Sequence, residues 1–524
     1  MNDTPSSKPA NVVDPVAHSD AVGSAYASLV TPEHRKAHGL YLTPPDVARF
    51  MASYISPRTG AVRVLDPCAG GGILSTAAIR GLVEAGAKRL HLVAYEVDRK
   101  LAKKLDGVLA AAVRWAQGRG AELTYDLRVE DFVIANADAL QGLGGLFAPS
   151  SDRTFDVVIA NPPYFKLNKA DPRAQAALSV VHGQPNIYGL FMAIGAALLR
   201  KGGELVFITP RSFASGDYFR AFRRQFFGLV RPQEMHVFGS RRDAFARDAV
   251  LQENVILHAV RDDGWSEGEV TISTSAGIRD LAERETRTKP IGEVLDLASK
   301  DLVLRMPATA DDEDLMRSVD AWSDRLASHG WKISTGPVVA FRAKEFQSPT
   351  GGPGTVPLLW LNHIHPMEVR WPLVKRKNEH ILDRMASRNI LVPNANYVVL
   401  RRFSAKEEKR RLVAAPYLAA SMDVPMVGLE NHLNYIYRPG GSLTEEEAIG
   451  LAAFLNSTLL DTWFRATNGN TQVGAAEIRA MPMPPIPTIR ALGRRARGVT
   501  DLALIDGLVA DVLGSVSGAD LLVA

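Results

Sequence analysis

The sequence predicts an α/β fold whose first domain is a Rossmann-like, mainly parallel sheet. Between about residues 40 and 260, short apolar runs alternate with longer helical stretches, and a glycine-rich turn follows the first run. This alternation is typical of strand–helix–strand units, in which a helix joins neighbouring parallel strands. The composition, with 46% hydrophobic and 23% charged residues in 524, fits two or three ordinary globular domains.

The apolar runs mark the predicted strands, and stretches of helical periodicity mark the helices between them. The predicted strands are Ala61–Leu65, His91–Tyr95, Phe155–Ile159 and Glu204–Ile208, followed by Asn254–Leu257. The predicted helices are Ile73–Ala85, Arg99–Gln117 and Ile187–Leu199, and Lys201-Gly202-Gly203 is expected to cap the last of them.

Shifts in composition divide the chain into four segments. We expect a flexible polar tail over residues 1–20 and the first domain over residues 21–290. A charged, irregular inter-domain region is expected over residues 291–330. A second domain of mixed α/β structure, rich in proline and aromatic residues, is expected over residues 331–524, with a C-terminal helix near Thr500–Leu513.

Composition also excludes several classes of protein. The one cysteine, Cys68, excludes a disulfide framework and a zinc site built on cysteine pairs, and we expect no bound metal. The longest apolar run, Gly189–Leu199, is too short to span a bilayer, and the polar start does not resemble a signal peptide. We therefore expect a soluble, cytoplasmic protein with no membrane partner.

Basic residues are concentrated in one part of the second domain. The net charge is only +4, but Phe341–Arg411 carries 14 basic and 6 acidic residues. Clusters of this kind neutralise nucleic-acid phosphates, and they also occur on solvated faces that bind nothing. The charge pattern alone leaves both interpretations open.

Three segments of the first domain have features of a nucleotide-type cofactor site. The turn Asp66-Pro67-Cys68-Ala69-Gly70-Gly71-Gly72 lies between a buried strand and a helix, where glycines let a ligand approach the backbone. Glu96 follows the next strand, where an acid can bind ribose hydroxyls. Asp138 can accept a hydrogen bond from an adenine amino group. Taken singly, each segment is also compatible with an ordinary turn or helix cap.

The tetrapeptide Asn161-Pro162-Pro163-Tyr164 directly follows a predicted strand and is the most specific signal in the chain. Asn161 and the carbonyl of Pro162 offer two acceptors for the hydrogens of an NH₂ group, and Tyr164 can stack on its plane. Drawing both N–H bonds into acceptors frees the nitrogen lone pair for attack on a methyl group. This arrangement favours methylation of a planar amine, with orientation and electrostatics as the source of rate enhancement.

These segments, in this order, resemble the gamma group of adenine-N6 DNA methyltransferases of type II restriction-modification systems. The resemblance covers nearly the whole chain. It implies a Rossmann-like domain that binds S-adenosyl-L-methionine and a C-terminal target-recognition domain that reads DNA. By this resemblance Thr43, within Tyr41–Pro45, meets the methionine carboxylate, and the remaining cofactor-binding residues are Asp66, Pro67, Ala69, Gly70, Gly72, Glu96 and Asp138.

The same resemblance assigns catalysis to Asn161, Pro162, Pro163 and Tyr164. It also makes Phe245 the aromatic that, opposite Tyr164, sandwiches a flipped adenine. Asn186–Phe191, Gly202–Phe213 and Asn468–Val473 match later segments of the family. The glycine turn departs from simpler versions of the motif by one additional residue, Gly71.

The leading hypothesis is therefore a site-specific adenine-N6 DNA methyltransferase. We expect a monomer whose partner is double-stranded DNA. A cognate restriction endonuclease is expected to be its functional partner but not a stably bound subunit. The alternatives are an enzyme that methylates a protein glutamine or an RNA base, and a non-catalytic DNA-binding subunit. The basic, aromatic-rich stretch around Trp360, His363, His365, Trp371, Arg401 and Arg402 favours DNA.

Overall fold

The computed structural model forms two compact units, Met1–Ala308 and Thr309–Ala524. It describes residues 13–38, 42–141, 154–181, 185–238, 254–297, 301–306, 310–373, 378–404, 408, 410–468 and 472–520. The hydrophobic clusters found in the described residues each lie within one unit, so each unit has its own core.

A nine-stranded sheet forms the centre of the first unit, in the order β3-β2-β1-β4-β5-β7-β6-β8-β9. Strands β1 to β5 are mutually parallel, and β7 runs antiparallel to its neighbours β5 and β6. The mixed α/β fold with a Rossmann-like parallel half is therefore as predicted. The strands are β1 Ala61–Asp66, β2 Arg89–Tyr95, β3 Glu122–Arg128, β4 Phe155–Ala160, β5 Leu199–Pro210, β6 Val230–Phe238, β7 Asn254–Arg261, β8 Glu269–Ser275 and β9 Glu285–Pro290.

Helices cover both faces of this sheet and bury two apolar layers against it. One layer lies between the sheet and α3, α4 and α5, and the other lies beneath α8 and α9. The helices of the unit are α1 Pro15–Leu29, α2 Pro32–His38, α3 Pro45–Ser53, α4 Ile73–Glu84, α5 Arg99–Gln117, α6 Phe132–Asn136, α7 Pro172–Ala176, α8 Ile187–Ala197, α9 Arg220–Leu229 and α10 Ile291–Val294.

Two local predictions for this unit are wrong. Residues 15–20 belong to helix α1, which begins after the N-cap Asp14 and buries Val16 and Ser19, so the expected tail extends too far. Helix α8 ends at Ala197, and Gly202 lies within β5 instead of capping the helix. The chain leaves the helix early because Leu199 already pairs with Phe155 of β4.

The second unit combines small sheets with a group of helices. A four-stranded sheet has the order β10-β20-β17-β18, a five-stranded sheet has the order β11-β15-β12-β19-β16, and β13 pairs with β14. The strands are β10 Lys332–Thr335, β11 Gln347–Ser348, β12 Thr355–Leu359, β13 Ile364–His365, β14 Glu368–Val369, β15 His380–Leu382, β16 Val392–Pro393, β17 Tyr397–Arg401, β18 Ala414–Tyr417, β19 Met426–Leu429 and β20 Leu433–Tyr437.

The helices of the second unit pack against the four-stranded sheet and form its largest apolar core. The mixed α/β structure expected for this part of the chain is present. The final helix is longer than predicted. The helices are α11 Ala310–Asp320, α12 Glu445–Asn456, α13 Thr458–Thr467, α14 Ala475–Ala480, α15 Ile486–Arg495 and α16 Leu502–Asp520.

The expected inter-domain region, residues 291–330, is divided between the two units. Ile291 and Val294 of α10 are buried in the core of the first unit, as is Leu304. Val319 of α11 and Leu326 are buried in the core of the second. The sequence did not show this division because short apolar groups, such as Val294-Leu295, alternate with charged residues over the whole region.

Candidate active site

A cavity of about 280 Å³ opens at the carboxyl ends of the parallel strands of the first unit. In open α/β sheets ligands bind at this edge, where the strand order reverses, and here the reversal lies between β1 and β4. The cavity is lined by Pro67, Cys68, Gly70, Tyr95, Glu96, Val97, Asp98, Leu101, Glu130, Asp131, Phe132, Asn161, Pro163, Phe165, Arg173, Ile187 and Phe191.

Asp66 lies beneath the glycine turn and shapes it. Its carboxylate is fully buried and accepts hydrogen bonds from the backbone N–H of Cys68 and the hydroxyl of Ser75, at 3.3 and 2.6 Å. Burial raises the pKa of Asp66 to about 6, against the effect of these bonds. Asp66 does not line the cavity, so the structure places it under the turn instead of against a ligand.

The glycines of the turn differ in what they do. Gly70 has φ +56° and open space where a Cβ would lie, and its N–H donates to Oε2 of Glu96 at 3.0 Å. Gly72 has φ +85° and is the N-cap of α4, where a Cβ would lie 2.7 Å from Leu105. Gly70 therefore faces the cavity, whereas Gly72 serves helix packing. Ala69 lines a second, smaller cavity of about 40 Å³.

Glu96 lies on the cavity wall at the end of β2, as expected. Its two carboxylate oxygens accept from the N–H groups of Gly70 and Asp98, at 3.0 and 2.7 Å. Burial nevertheless raises the pKa of Glu96 to about 7. Both oxygens keep lone pairs for further donors, which suits a carboxylate that receives ribose hydroxyls.

Asp98 joins this wall to the N-terminal helices. Its carboxylate caps α5 and accepts hydrogen bonds from the hydroxyl of Tyr26 on α1 and from Nε2 of His34 on α2, the latter at 2.9 Å. Burial alone would raise the pKa of Asp98, but these bonds, together with those from the backbone, lower it to about 2. No sequence pattern marks Tyr26, His34 or Asp98 as part of the site.

The structure places Asp131, and not Asp138, on the cavity wall. Asp131 lies three residues after the end of β3 and caps α6, while Asp138 lies further on, in the short 3₁₀ helix Ala137–Leu140. The segment after β3 thus meets Glu96, the residue after β2, at the same edge of the sheet. A prediction of β3 would have found Asp131, because strand ends at one sheet edge gather their side chains.

The tetrapeptide turns away from β4 at the boundary of the two cavities, and Asn161 lines both of them. Nδ2 of Asn161 donates to Oγ1 of Thr43 at 3.0 Å, and Oδ1 accepts from the hydroxyl of Tyr164 at 2.5 Å. Pro162 is buried, and Pro163 lines the larger cavity. Thr43 thus meets the tetrapeptide itself, in the smaller cavity beside the glycine turn.

Phe245, the expected second wall of a base pocket, lies outside the described residues, as does Tyr41. The ring of Tyr164 packs edge-on against Tyr188, with 6.2 Å between ring centroids.

Among the residues that the structure describes, no group of three or more histidine, cysteine or acidic side chains is arranged to hold a metal ion. No helix within those same residues is long and apolar enough to cross a membrane.

Of the four aromatic and histidine residues expected at a DNA surface, His363 is buried, and Trp360, His365 and Trp371 are half-buried in the second unit. His363 is fully buried and its Nε2 lies 3.0 Å from Oε1 of Glu379. The indole N–H groups of Trp360 and Trp371 donate to the carbonyls of Asn378 and Glu379, at 3.0 and 3.1 Å. Burial removes His363 from the residues expected at a DNA surface, whereas contact of Trp360, His365 and Trp371 with DNA stays a prediction.

Two of the basic residues singled out in the sequence are also bound within the unit. Nε of Arg401 donates to the carbonyl of Ile364 at 2.7 Å, and Arg402 donates to that of Asn431 at 3.1 Å. Burial lowers the pKa of Arg401. Other basic residues of the same stretch are exposed, and these are Arg342, Lys344, Arg370, Arg384 and Arg388.

The cavity fits S-adenosyl-L-methionine by its shape and its donor set. Open space beside Gly70 admits a ligand to the backbone, and Glu96 supplies carboxylate acceptors on the cavity wall, as the hydroxyls of a ribose require. The side-chain amide of Asn161 lies where the two cavities meet. A Rossmann-like sheet with this cavity and an Asn-Pro-Pro-Tyr turn at its edge defines an S-adenosyl-L-methionine-dependent methyltransferase.

Comparisons with known proteins give the family. Residues 121–245 match the Eco57I restriction-modification methylase family. The type II methyltransferase M.PstI of Providencia stuartii is 33% identical over 467 residues, which cover 89% of this chain and 90% of the relative. M.BsuBI of Bacillus subtilis is 34% identical over 457 residues, covering 87% of this chain and 89% of the relative. The chain belongs to the type II methyltransferases of restriction-modification systems and is a site-specific DNA methyltransferase.

Proposed function

We propose that this enzyme transfers the methyl group to N6 of an adenine within its DNA recognition sequence. The observation that carries the proposal is the Asn161 side chain, held between two cavities and followed directly by Pro162. An amide oxygen and a proline carbonyl together accept both hydrogens of an exocyclic NH₂ group. A ring carbon has no such hydrogens to donate. The amino group of cytosine has them, and the resemblance to the gamma group of adenine-N6 methyltransferases is what favours adenine over cytosine.

The roles of the chain's own residues follow from this arrangement. Asn161 and the Pro162 carbonyl accept hydrogen bonds from both amine hydrogens. The nitrogen lone pair is thereby drawn out of conjugation with the ring and can attack. The bound S-adenosyl-L-methionine supplies an electrophilic methyl group on a sulfonium centre. The nitrogen forms a bond to that methyl carbon as the carbon–sulfur bond breaks, and the amine then loses a proton to solvent. Tyr164 stacks on one face of the flipped base, and the family resemblance assigns the other face to Phe245.

The cofactor is held by the edge of the parallel sheet. We assign the ribose to Glu96, the turn contacts to Pro67, Ala69 and Gly70, and the adenine amino group to Asp131 in place of Asp138. Asp131 has the support of its position on the cavity wall. Asp66 and Gly72 act through the shape of the turn.

We assign DNA recognition to residues 309–524 and methyl transfer to residues 21–308. The site at the sheet edge holds one extruded base, so the remaining base pairs of the recognition sequence require another surface. The exposed basic residues between Arg342 and Arg388 can neutralise backbone phosphates. We place the enzyme in the cytoplasm as a monomer that protects DNA from a restriction endonuclease to which it is not stably bound.

The test is Asn161→Ala, assayed by methyl transfer to duplex DNA and by nucleoside analysis of the product. We expect N6-methyladenine from the unmodified enzyme and none from the variant, with cofactor binding retained because the amide does not anchor the cofactor. Asn168→Ala, an exposed residue seven positions further on, is the matched control and should remain active. Methylation of cytosine, of RNA or of protein glutamine would contradict the proposal.

A further inference from the structure

A chain of side-chain hydrogen bonds links Thr43, which precedes α3, to the tetrapeptide after β4. Nδ2 of Asn161 donates to Oγ1 of Thr43 at 3.0 Å, and Oδ1 of Asn161 accepts from the Tyr164 hydroxyl at 2.5 Å. The same hydroxyl lies 2.9 Å from the carbonyl oxygen of Ile208. Thr43 is only 4% exposed, so water competes little for its hydroxyl.

In this series of hydrogen bonds, Nδ2 of Asn161 faces Thr43 and Oδ1 faces Tyr164. An asparagine amide carries an acceptor at one end and two donors at the other, and a half-turn of its last torsion exchanges them. Turned the other way, the amide would point an N–H group at a target amine, which also donates. A hydroxyl can accept or donate, so the two contacts act together: with Nδ2 donating to Oγ1 of Thr43 and the Tyr164 hydroxyl donating to Oδ1, the amide has the productive orientation, with Oδ1 towards the amine.

The Tyr164 hydroxyl has a second consequence for the same oxygen. It has one proton and two acceptors within reach, Oδ1 of Asn161 and the carbonyl of Ile208. When a hydrogen of the target amine binds Oδ1, the Tyr164 hydroxyl can therefore donate to the carbonyl of Ile208 instead. Exchange of the two donors leaves no buried acceptor without a partner, which keeps the cost of the exchange low.

We propose that Thr43 is a positioning residue that holds Asn161 with Oδ1 towards the target amine, and that the Tyr164 hydroxyl occupies Oδ1 until the amine replaces it. This inference rests on the proposed function. It gives Thr43 a role in the transfer step that is distinct from binding the methionine carboxylate. It also gives the tyrosine hydroxyl a role separate from stacking by its ring.

The test of the first part compares Thr43→Val, which keeps the shape and removes the hydroxyl, with Thr43→Ser, which keeps the hydroxyl. We expect kcat to fall by about 10- to 100-fold in the valine variant, with little change in cofactor Kd measured by calorimetry. The serine variant should recover kcat to within about threefold. Thr271→Val, on an outer strand of the same sheet, is the matched control and should be unchanged.

Two results would overturn the role of Thr43. One is an unchanged kcat in Thr43→Val, and the other is a loss that disappears at saturating cofactor, which would make Thr43 a cofactor ligand. A serine variant as slow as the valine variant would also overturn it, because the hydroxyl would then not be the active feature.

The second part is tested with Tyr164→Phe, which keeps the ring and removes the hydroxyl. Binding of DNA with 2-aminopurine at the target position should be equal or tighter, because no hydroxyl has to be displaced. A loss of kcat as large as that of Asn161→Ala would show that the hydroxyl acts on the substrate, and would overturn this part.

Failure of the inference is distinguishable from failure of the proposed function. If Asn161→Ala still methylates adenine, the role of the tetrapeptide is wrong whatever Thr43 does. If Asn161→Ala is inactive while Thr43→Val keeps full kcat, the proposed function stands and only the positioning role is overturned.

Discussion

Glu96 shows how the environment of one side chain can make cofactor binding depend on pH. Its carboxylate is enclosed by the glycine turn and by the start of α5, and burial raises its pKa to about 7. Near neutral pH the cofactor-free protein is therefore a mixture of protonated and ionised forms. Ribose hydroxyls donate to the ionised form, because only that form keeps acceptors on both oxygens.

We predict that cofactor affinity rises as pH increases from 6 to 8 and then levels off. The raised pKa means that a proton must leave Glu96 before the cofactor binds at low pH, so affinity falls by up to about tenfold per pH unit below 7. Calorimetry at several pH values measures the slope. Glu96→Gln should bind more weakly and lose this part of the dependence, and a slope identical in both proteins would contradict the prediction.

At the scale of residues, the sequence identified the tetrapeptide, the glycine turn and Glu96, because each combines an uncommon residue pattern with the end of an apolar strand. It missed Asp131, since the strand before it was not recognised. It also missed Tyr26 and His34, whose contacts with Asp98 join segments more than 60 positions apart. No local pattern in the sequence carries that information.

The strands differ in how well their sequences show them. β1, β2, β4 and the inner half of β5 are buried apolar runs and were predicted to within a few residues. β3 lies at the edge of the sheet with alternating exposure, so its polar residues obscure it. Asp131, three residues beyond the end of this strand, was not marked for the same reason, and Asp138 was chosen by the family resemblance.

Helix α1 packs on the glycine turn through two glycines. A Cβ placed on Gly71 would lie 3.0 Å from the Cα of Gly23 on α1 and 3.5 Å from the carbonyl oxygen of Ser19. These neighbours are backbone atoms, which cannot rotate away as a side chain can. The additional glycine of the turn therefore permits close packing of α1, which carries Tyr26 to the rim of the cofactor cavity.

We predict that Gly71→Ala lowers the free energy of unfolding by about 1–3 kcal/mol and weakens cofactor binding, because α1 must move away from the turn. Gly81→Ala, inside α4, is the matched control. A Cβ at Gly81 would contact Ala52 only at an ordinary van der Waals distance. This variant should be neutral or slightly stabilising, as expected for glycine to alanine inside a helix. Denaturant unfolding and calorimetry measure both effects, and equal behaviour of the two variants would refute the explanation.

At the scale of the whole molecule, two separately cored units carry the proposed division of labour. The apolar clusters of the first unit end at Met306, and those of the second begin at Met316. The sequence suggested two domains from its shift in composition. It also predicted a connecting region over residues 291–330, whose buried residues belong to both cores. A charged, irregular segment does not show which of its apolar residues are buried.

We predict that a fragment of residues 1–308 binds S-adenosyl-L-methionine but loses selective binding and methylation of DNA. All described residues of the cofactor cavity lie in this fragment, whereas the proposed reading surface does not. Calorimetry, gel shifts and a methylation assay on the soluble fragment provide the measurements. A fragment that still methylates the same sites would show that the second unit does not select the sequence.

The separation of the cores also bears on how such enzymes acquire new specificities. A genetic exchange near the codons for residues 307–309 would exchange a complete hydrophobic interior instead of dividing one. Recombinant offspring could thus inherit the methylation chemistry from one parent and the recognised sequence from the other. Point mutation would instead have to change several DNA contacts in turn.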